Sequence, residues 1–229
     1  RGRMGPAAVA LAKAAGYANA GTVEFLVDGH GDTARFYFLE MNARLQVEHP
    51  ITETVTGVDL VRAQIEVAGG LPLPWTQEQL TQRGHAIQVR VCAEDPGQGF
   101  LPQAGVLALY REPSMPGIRV DSGVSEGAEV SVHYDSLLAK LVAWGETRDA
   151  ARQRARAALA HYPILGIPTN VPLLMRLLAH ERFIAGDLDT HFLQTEASTL
   201  IPTDDAPSAD AQAVAALVRR GAPGAPPGG

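Results

Sequence analysis

The chain has 229 residues, an apolar fraction of 46% and a formal net charge of −6. That is enough for one large domain or two small ones with a real core, and the negative charge argues against a general nucleic-acid binder. Cys92 is the single cysteine, which excludes an internal disulfide and points to a reducing compartment, and no apolar run reaches the roughly 18 residues of a membrane span.

Seventeen arginines stand against two lysines, Lys13 and Lys140. The opening Arg1-Gly2-Arg3-Met4 is not followed by the apolar core of a signal peptide, and a start without an initiator Met is that of a fragment or a processed chain. Met4 to Ala15 is predicted as an alanine-rich helix, with Pro6 early and Gly16 at its end. Val23 to Asp28 reads as a strand, Gly29-His30-Gly31-Asp32 as a turn, and Arg35 to Met41 as the return strand of a hairpin. A loop centred near Asp32 sets Glu24 opposite Glu40, with both carboxylates on one face. No predicted helix follows the glycine-rich turn, so it is weak as a phosphate cradle.

The stretch Glu40 to Pro50 organises the chain. Glu40, Asn42, Arg44, Gln46 and Glu48 alternate with Met41, Ala43, Leu45 and Val47. In extended backbone that period of two separates a polar face from an apolar one. Fully extended, Glu40 to Glu48 would span roughly 26 Å, too long for one small-molecule site. If these residues act together, the strand ends near Asn42 and the chain bends. His49-Pro50 is expected to close the bend, because a residue before proline is biased away from helical backbone.

Asp59 is placed to N-cap a helix through Val67, stopped by Gly69-Gly70. Leu71-Pro72-Leu73-Pro74 is a connector. Ala86 to Ala93 reads as a strand, with Gln88, Arg90 and Cys92 on one face and Ile87, Val89 and Val91 on the other. Short strands follow through Trp144. Thr147 is placed to cap an Arg/Ala-rich helix to His161, and Asn170, with Pro172 following, to cap a helix to about His180. Ala211 to Arg220 is a candidate short helix, and the Gly/Pro/Ala run from Gly221 a linker.

Glu24, Glu40 and Asn42 offer oxygen ligands only, which suits Mg²⁺ or Mn²⁺ and not a thiolate-binding metal. Two carboxylates and an amide fit an ion that bridges nucleotide phosphates. Arg44 is a fork for a small oxyanion, and Glu48 could take a proton from such an anion. The plain alternative for Arg44 and Glu48 is a local ion pair, worth about 0–1 kcal/mol if exposed. Arg90, read alone, is a salt-bridge candidate on a strand face.

Glu40-Met41-Asn42-x-Arg44-x-Gln46-Val47-Glu48-His49-Pro50-x-Thr52-Glu53 resembles the signature of biotin carboxylases, including the biotin-carboxylase subunits of acetyl- and propionyl-CoA carboxylases. The resemblance continues through Gly57-Val58-Asp59-Leu60, Gly84-His85-Ala86, Arg90, Ala93-Glu94-Asp95-Pro96, Phe100-Leu101-Pro102, Tyr134-Asp135-Ser136 and Gly166-Ile167-Pro168-Thr169-Asn170. It covers residues 1–196; other ATP-grasp enzymes share the Glu-x-Asn pair but not Gln46 to Pro50.

The resemblance implies an α+β fold: the carboxy-terminal part of an ATP-grasp domain, then a mostly antiparallel β-sheet domain with flanking helices. The implied divisions are 1–70 for the ATP-grasp part, 71–83 for the connector, 84–196 for the carboxy-terminal domain and 197–229 for the tail. It also implies ATP-dependent carboxylation of biotin by bicarbonate through carboxyphosphate. Glu24, Glu40 and Asn42 match ligands of two Mg²⁺ or Mn²⁺ ions beside the ATP phosphates, with Glu40 bridging. Arg44, Gln46, the N–H of Val47 and Glu48 match the bicarbonate pocket, with Glu48 the general base. Arg90 matches the arginine that stabilises the biotin enolate, and a cation there would lower that barrier.

Implied partners are a separate biotin carboxyl carrier, a carboxyltransferase subunit and a second copy, in the cytoplasm; no nucleic acid or membrane partner is implied. Arg119 matches a position near the family's dimer contact, but Pro116 stands where an aromatic is often found. The family's enzyme is about twice this long, and the lysines that hold ATP and bicarbonate lie in the part not matched here. The chain alone is therefore expected not to complete the reaction. It carries no Ala-Met-Lys-Met, the biotin attachment motif. The Gly29–Ala34 turn is a few residues longer than in compact members. The alternative reading is a non-catalytic remnant that docks a partner carboxylase subunit or a separate amino-terminal half.

Overall fold

The computed structural model describes residues 2–201. The helix expected at Ala211 to Arg220 and the linker from Gly221 lie outside the described residues. Among the described residues, no helix is long and apolar enough to cross a membrane.

Helix α1 runs Met4–Ala14. Gly16 ends it in left-handed backbone (φ +63°), with Gly16 N–H on the Lys13 carbonyl at 3.1 Å and Tyr17 N–H on that of Ala12 at 2.9 Å. That pairing closes a helix terminus where only glycine takes the positive φ at little cost. Strands β1 (Thr22–Asp28) and β2 (Arg35–Asn42) form the expected antiparallel hairpin, joined through a 3₁₀ turn at Gly31–Thr33. Glu24 lies opposite Glu40, while Phe25 lies opposite Phe38, so Leu39 is an extra residue in a β-bulge. The strand stops at Asn42, where the reach of the chain required it to stop.

The next turn departs from expectation. His49 and Pro50 do not close a bend; they open helix α2 (His49–Thr56), with Glu48 at its N-cap position. Proline fits a first helical turn because its missing N–H has no partner there in any case. That advantage outweighs the pre-proline bias at His49. Gly57 ends α2 at φ +77°. Helix α3 (Leu60–Ala68) is capped as its sequence indicates, with Asp59 Oδ1 accepting the Arg62 N–H at 2.8 Å.

The carboxy-terminal part is built on a three-stranded antiparallel sheet in the order β3 (His85–Cys92), β10 (Leu137–Gly145), β8 (Ile118–Ser122). Short pairs surround it: β4 (Glu94–Asp95) with β5 (Leu101–Pro102), β6 (Gly105–Val106) with β9 (Glu129–Val130), and β7 (Leu109–Tyr110) with β11 (Ile164–Leu165). Helix α4 (Arg148–Ala160) packs on the sheet, with Thr147 Oγ1 accepting the Ala150 N–H at 3.1 Å. Its stripe Ala151, Ala155, Ala158, Leu159 is buried, as the i, i+4, i+7, i+8 spacing requires. Val89, Val91, Leu141 and Ala143 join Ala155, Ala158 and Leu159 in the core. The other face of the sheet carries Gln88, Arg90, Lys140, Asp121 and Arg119, the alternate set of a period of two.

Two further expectations are corrected. The helix after Asn170 is α5 (Val171–Leu177), which stops short of His180 and is followed by α6 (Glu181–Ala185), α7 (Phe192–Thr195) and α8 (Ala197–Leu200). Asn170 occupies the N-cap position of α5, but its side chain makes no cap. It serves the free edge of β3 instead: Oδ1 accepts the Cys92 N–H at 2.9 Å, and Nδ2 donates to the Arg90 carbonyl at 3.0 Å. Asn170→Ala would leave both backbone groups without a partner, at about 1–3 kcal/mol each where they are dry. A melting temperature that drops by several degrees is the expected result, and an unchanged one would refute the edge role.

Candidate active site

The site is assembled from three pieces: the open end of the β1–β2 hairpin, the loop from Ala43 to Glu48, and β3. At the hairpin end, Asn42 Nδ2 donates to Glu24 Oε1 at 2.9 Å and to Glu40 Oε1 at 3.1 Å. One amide thus lies between two carboxylates brought together by the register of the hairpin. Beyond the strand, Arg44 donates to Asn42 Oδ1 at 3.2 Å and to the Leu45 carbonyl at 3.3 Å. The Gln46 carbonyl accepts from His49 N–H at 3.2 Å and lies 2.7 Å from His49 Nδ1, which ties the loop to the start of α2.

Arg44, Gln46 and Glu48 are among the residues that line a cavity of about 750 Å³. Leu60, Val67 and Trp75 are among its apolar walls. The ion-pair partner of Glu48 is Arg90, at 3.3 Å, rather than Arg44. Both side chains are about half exposed (52% and 55%), so the pair adds about 0–1 kcal/mol to stability and leaves both groups accessible. The carbonyl of Val47 accepts from Gln88 Nε2 at 3.4 Å, a second and longer tie between the loop and β3. The structure therefore brings Glu24, Glu40 and Asn42 together, and links Arg44 to them through Asn42. It sets Glu48 beside Arg90.

The donor set at the hairpin end fits a hard divalent cation. Two carboxylate oxygens converge on the Asn42 amide nitrogen, and a turn of that amide, which gives up the Arg44 bond to Oδ1, would present its oxygen there instead. Among the described residues there is no cluster of three or more His, Cys, Asp or Glu. The remaining ligands of such an ion would have to be phosphate or water oxygens.

Several polar residues around the site make contacts with one another that the one-dimensional pattern does not show. Glu53, on α2 and only 8% exposed, accepts from Leu60 N–H and from Arg119 Nη1, both at 2.7 Å. Arg119 also forks onto Asp121 at 2.7 and 2.9 Å, and Lys140 reaches Asp121 at 3.2 Å. Burial would raise the Asp121 carboxyl, but hydrogen bonds from Arg119 and Lys140 outweigh it and hold the group below its ordinary range. The spacing Arg119-x-Asp121 hints at part of this cluster, since a strand puts both on one face. Cys92, buried beside the site, has its thiol pushed up to about 11 by desolvation and then by Glu94, so it is a packing residue and not a thiolate nucleophile.

Two family models match the chain: "Carbamoyl-phosphate synthase L chain, ATP binding domain" over residues 1–76 and "Biotin carboxylase C-terminal domain" over residues 88–195. The mitochondrial methylcrotonoyl-CoA carboxylase subunit alpha of Arabidopsis thaliana is 47% identical over 210 residues, which are 91% of this chain and 28% of that protein. Biotin carboxylase 1 of Bacillus subtilis is 47% identical over 195 residues, 85% of this chain and 43% of that protein. The chain thus spans between about a quarter and two-fifths of the curated relatives it matches. Among solved structures, the biotin carboxylase domain dimer of Hydrogenobacter thermophilus 2-oxoglutarate carboxylase, in complex with MgADP, ADP and bicarbonate, superposes with a TM-score of 0.83 at 40% identity. The match covers 90% of this chain and 44% of that one. With the hairpin, the loop from Ala43 to Glu48 and the antiparallel sheet all in place, the chain belongs to the biotin carboxylase family.

Proposed function

We propose that this chain supplies the bicarbonate- and biotin-facing part of an ATP-dependent biotin carboxylase that serves an acyl-CoA carboxylase. The observation that carries the reading is the contact of Glu48 with Arg90 at the edge of the cavity. Arg44, Gln46 and the Val47 N–H would hold bicarbonate, with the Arg44 fork neutralising its charge. Glu48 would take the bicarbonate proton and so raise the nucleophilicity of the oxygen that attacks the γ-phosphate of ATP. Carboxyphosphate forms as ADP leaves, and its breakdown gives CO₂ and phosphate. Arg90 would then face the negative charge that develops on the ureido oxygen of the acceptor. Glu24, Glu40 and Asn42 would hold Mg²⁺ or Mn²⁺ in two sites, where the ions neutralise phosphate charge.

The domain limits 1–70, 84–196 and 197–229, with 71–83 as connector, belong to the same proposal. So do the partners: a biotin carboxyl carrier on another chain or domain, a carboxyltransferase subunit and a second copy. The free thiol of Cys92 supports a reducing compartment such as the cytoplasm. Several relatives carry "mitochondrial" in their names, which makes that organelle the competing location.

The test compares the carboxylase that contains this sequence with the chain on its own. The former is expected to release ADP from ATP only when bicarbonate is present, and to carboxylate biotin. The chain alone, with ATP, bicarbonate, Mg²⁺ and free biotin, is expected to do neither. Bicarbonate-independent ADP release in the first case would overturn the assignment, and turnover in the second would overturn its incompleteness.

A further inference from the structure

We propose that Glu53 is a positioning residue that joins the bicarbonate side of the site to the biotin side, an inference that rests on the function proposed above. Glu53 closes the Glu40–Glu53 motif, yet it points away from the cavity. Its two oxygens are both used: one takes the Leu60 N–H at the start of α3, the other takes Arg119 Nη1 on β8. It is the only acidic residue of α2 and is almost fully buried.

Helix α2 lies against the polar face of the sheet, touching both β3 and β10. Its N-cap position is Glu48, which meets Arg90 on β3. Five residues on, Glu53 meets Arg119 on β8. The rise from Glu48 to Glu53 is about 7.5 Å along a helix axis. Two strand spacings, from β3 across β10 to β8, come to about 9.6 Å. The spacing of Glu48 and Glu53 therefore lets their side chains reach the two outer strands, one each.

The ties at the two ends differ in strength. Arg90–Glu48 and Gln88–Val47 are long, at 3.3 and 3.4 Å, and the first is half exposed. Glu53–Arg119 is 2.7 Å, charge-assisted, and buried on the carboxylate side. Arg119 is in turn held by Asp121, and Asp121 by Lys140, which lies directly opposite Arg90 in the β3–β10 register. The buried joint at Glu53 thus fixes where α2, and so Glu48, sits relative to Arg90. Glu48 would act on bicarbonate before carboxyphosphate forms, and Arg90 on the acceptor afterwards. A loose joint should let the first step proceed while CO₂ escapes before the second.

The measurement is carboxybiotin formed per ADP released, in the carboxylase that contains this sequence. Glu53→Gln keeps an oxygen for Leu60 but turns an amide NH₂ towards Arg119, so it breaks the joint and spares the α3 contact. Glu53→Ala removes both. The ratio is expected to fall about five-fold or more in both variants, with bicarbonate-dependent ADP release reduced much less. A purely structural role would lower both rates together and leave the ratio unchanged. That result in the Gln variant overturns the inference even if the Ala variant does not fold. Absence of bicarbonate-dependent ADP release in the unmutated carboxylase would instead overturn the functional reading, and this inference with it.

Discussion

Glu48→Gln is expected to lower biotin carboxylation by the carboxylase containing this chain by about 10²- to 10⁴-fold, the usual contribution of a positioned general base. The substitution keeps the length of the side chain and can still accept a hydrogen bond from Arg90 Nη2, which lies 3.3 Å from Glu48 Oε2. What it removes is the basic carboxylate at the edge of the cavity. The loss should therefore fall on kcat, with the KM for ATP close to that of the parent. It should not be restored by raising the bicarbonate concentration, because the Arg44 fork and Gln46 are untouched. Steady-state rates at several bicarbonate concentrations check this. A variant within a few-fold of the parent rate would remove Glu48 from the mechanism.

Gly166→Ala is expected to cost about 3 kcal/mol or more of stability, by overpacking together with backbone strain. A Cβ at this position would lie 2.1 Å from the Val106 carbonyl oxygen and 2.8 Å from the Ala108 N, where β6 passes close by. The backbone of Gly166 is at φ +114°, which side-chain-bearing residues rarely adopt. Neither neighbour is the flexible end of a side chain, so neither can give way cheaply. The control is Gly127→Ala, at φ +82° with nothing within 4 Å of the added carbon, which carries the strain without the clash. Calorimetry should show the Gly166 variant melting about 6–12 °C below the parent. The control should melt much closer to the parent. Equal melting temperatures for the two variants would show that the close approach to Val106 is not what requires glycine.

Much of the site's geometry is legible in local pattern. The period-two faces of β1, β2 and β3 are readable from residue type. The end of β2 at Asn42 follows from the reach of an extended chain, and the Glu24–Glu40 pairing from the centre of the turn. The caps at Asp59 and Thr147 stand where their spacing puts them. Three features are not legible, for different physical reasons. Helix α2 is hidden because the pre-proline bias at His49 and the fitness of Pro50 for a first turn pull in opposite directions, and sequence alone does not say which wins. Asn170 has the residue type and position of a cap, but a strand edge brought near by the fold offers its side chain two better partners. The joints Glu48–Arg90, Glu53–Arg119 and Gln88–Val47 connect residues 42, 66 and 41 positions apart, and nothing local says which residue meets which. The roles of Glu24, Glu40, Asn42, Arg44, Gln46, Val47, Glu48 and Arg90 rest on the family resemblance, and the structure adds only which of them meet.

The β1–β2 hairpin stands apart from the rest of the chain in one respect. Among the described residues, none before Pro50 is buried, and Leu26, Val27, Tyr37, Phe38 and Leu39 are each at least half exposed. Two strands without a dry face are marginal by themselves. The chain spans 28% of one curated relative and 43% of another, and an exposed apolar patch of this kind is what a covering surface would bury. In the carboxylase that contains this sequence, the part outside this chain would supply that surface, so the placing of Glu24 and Glu40 would depend on a contact between the two parts.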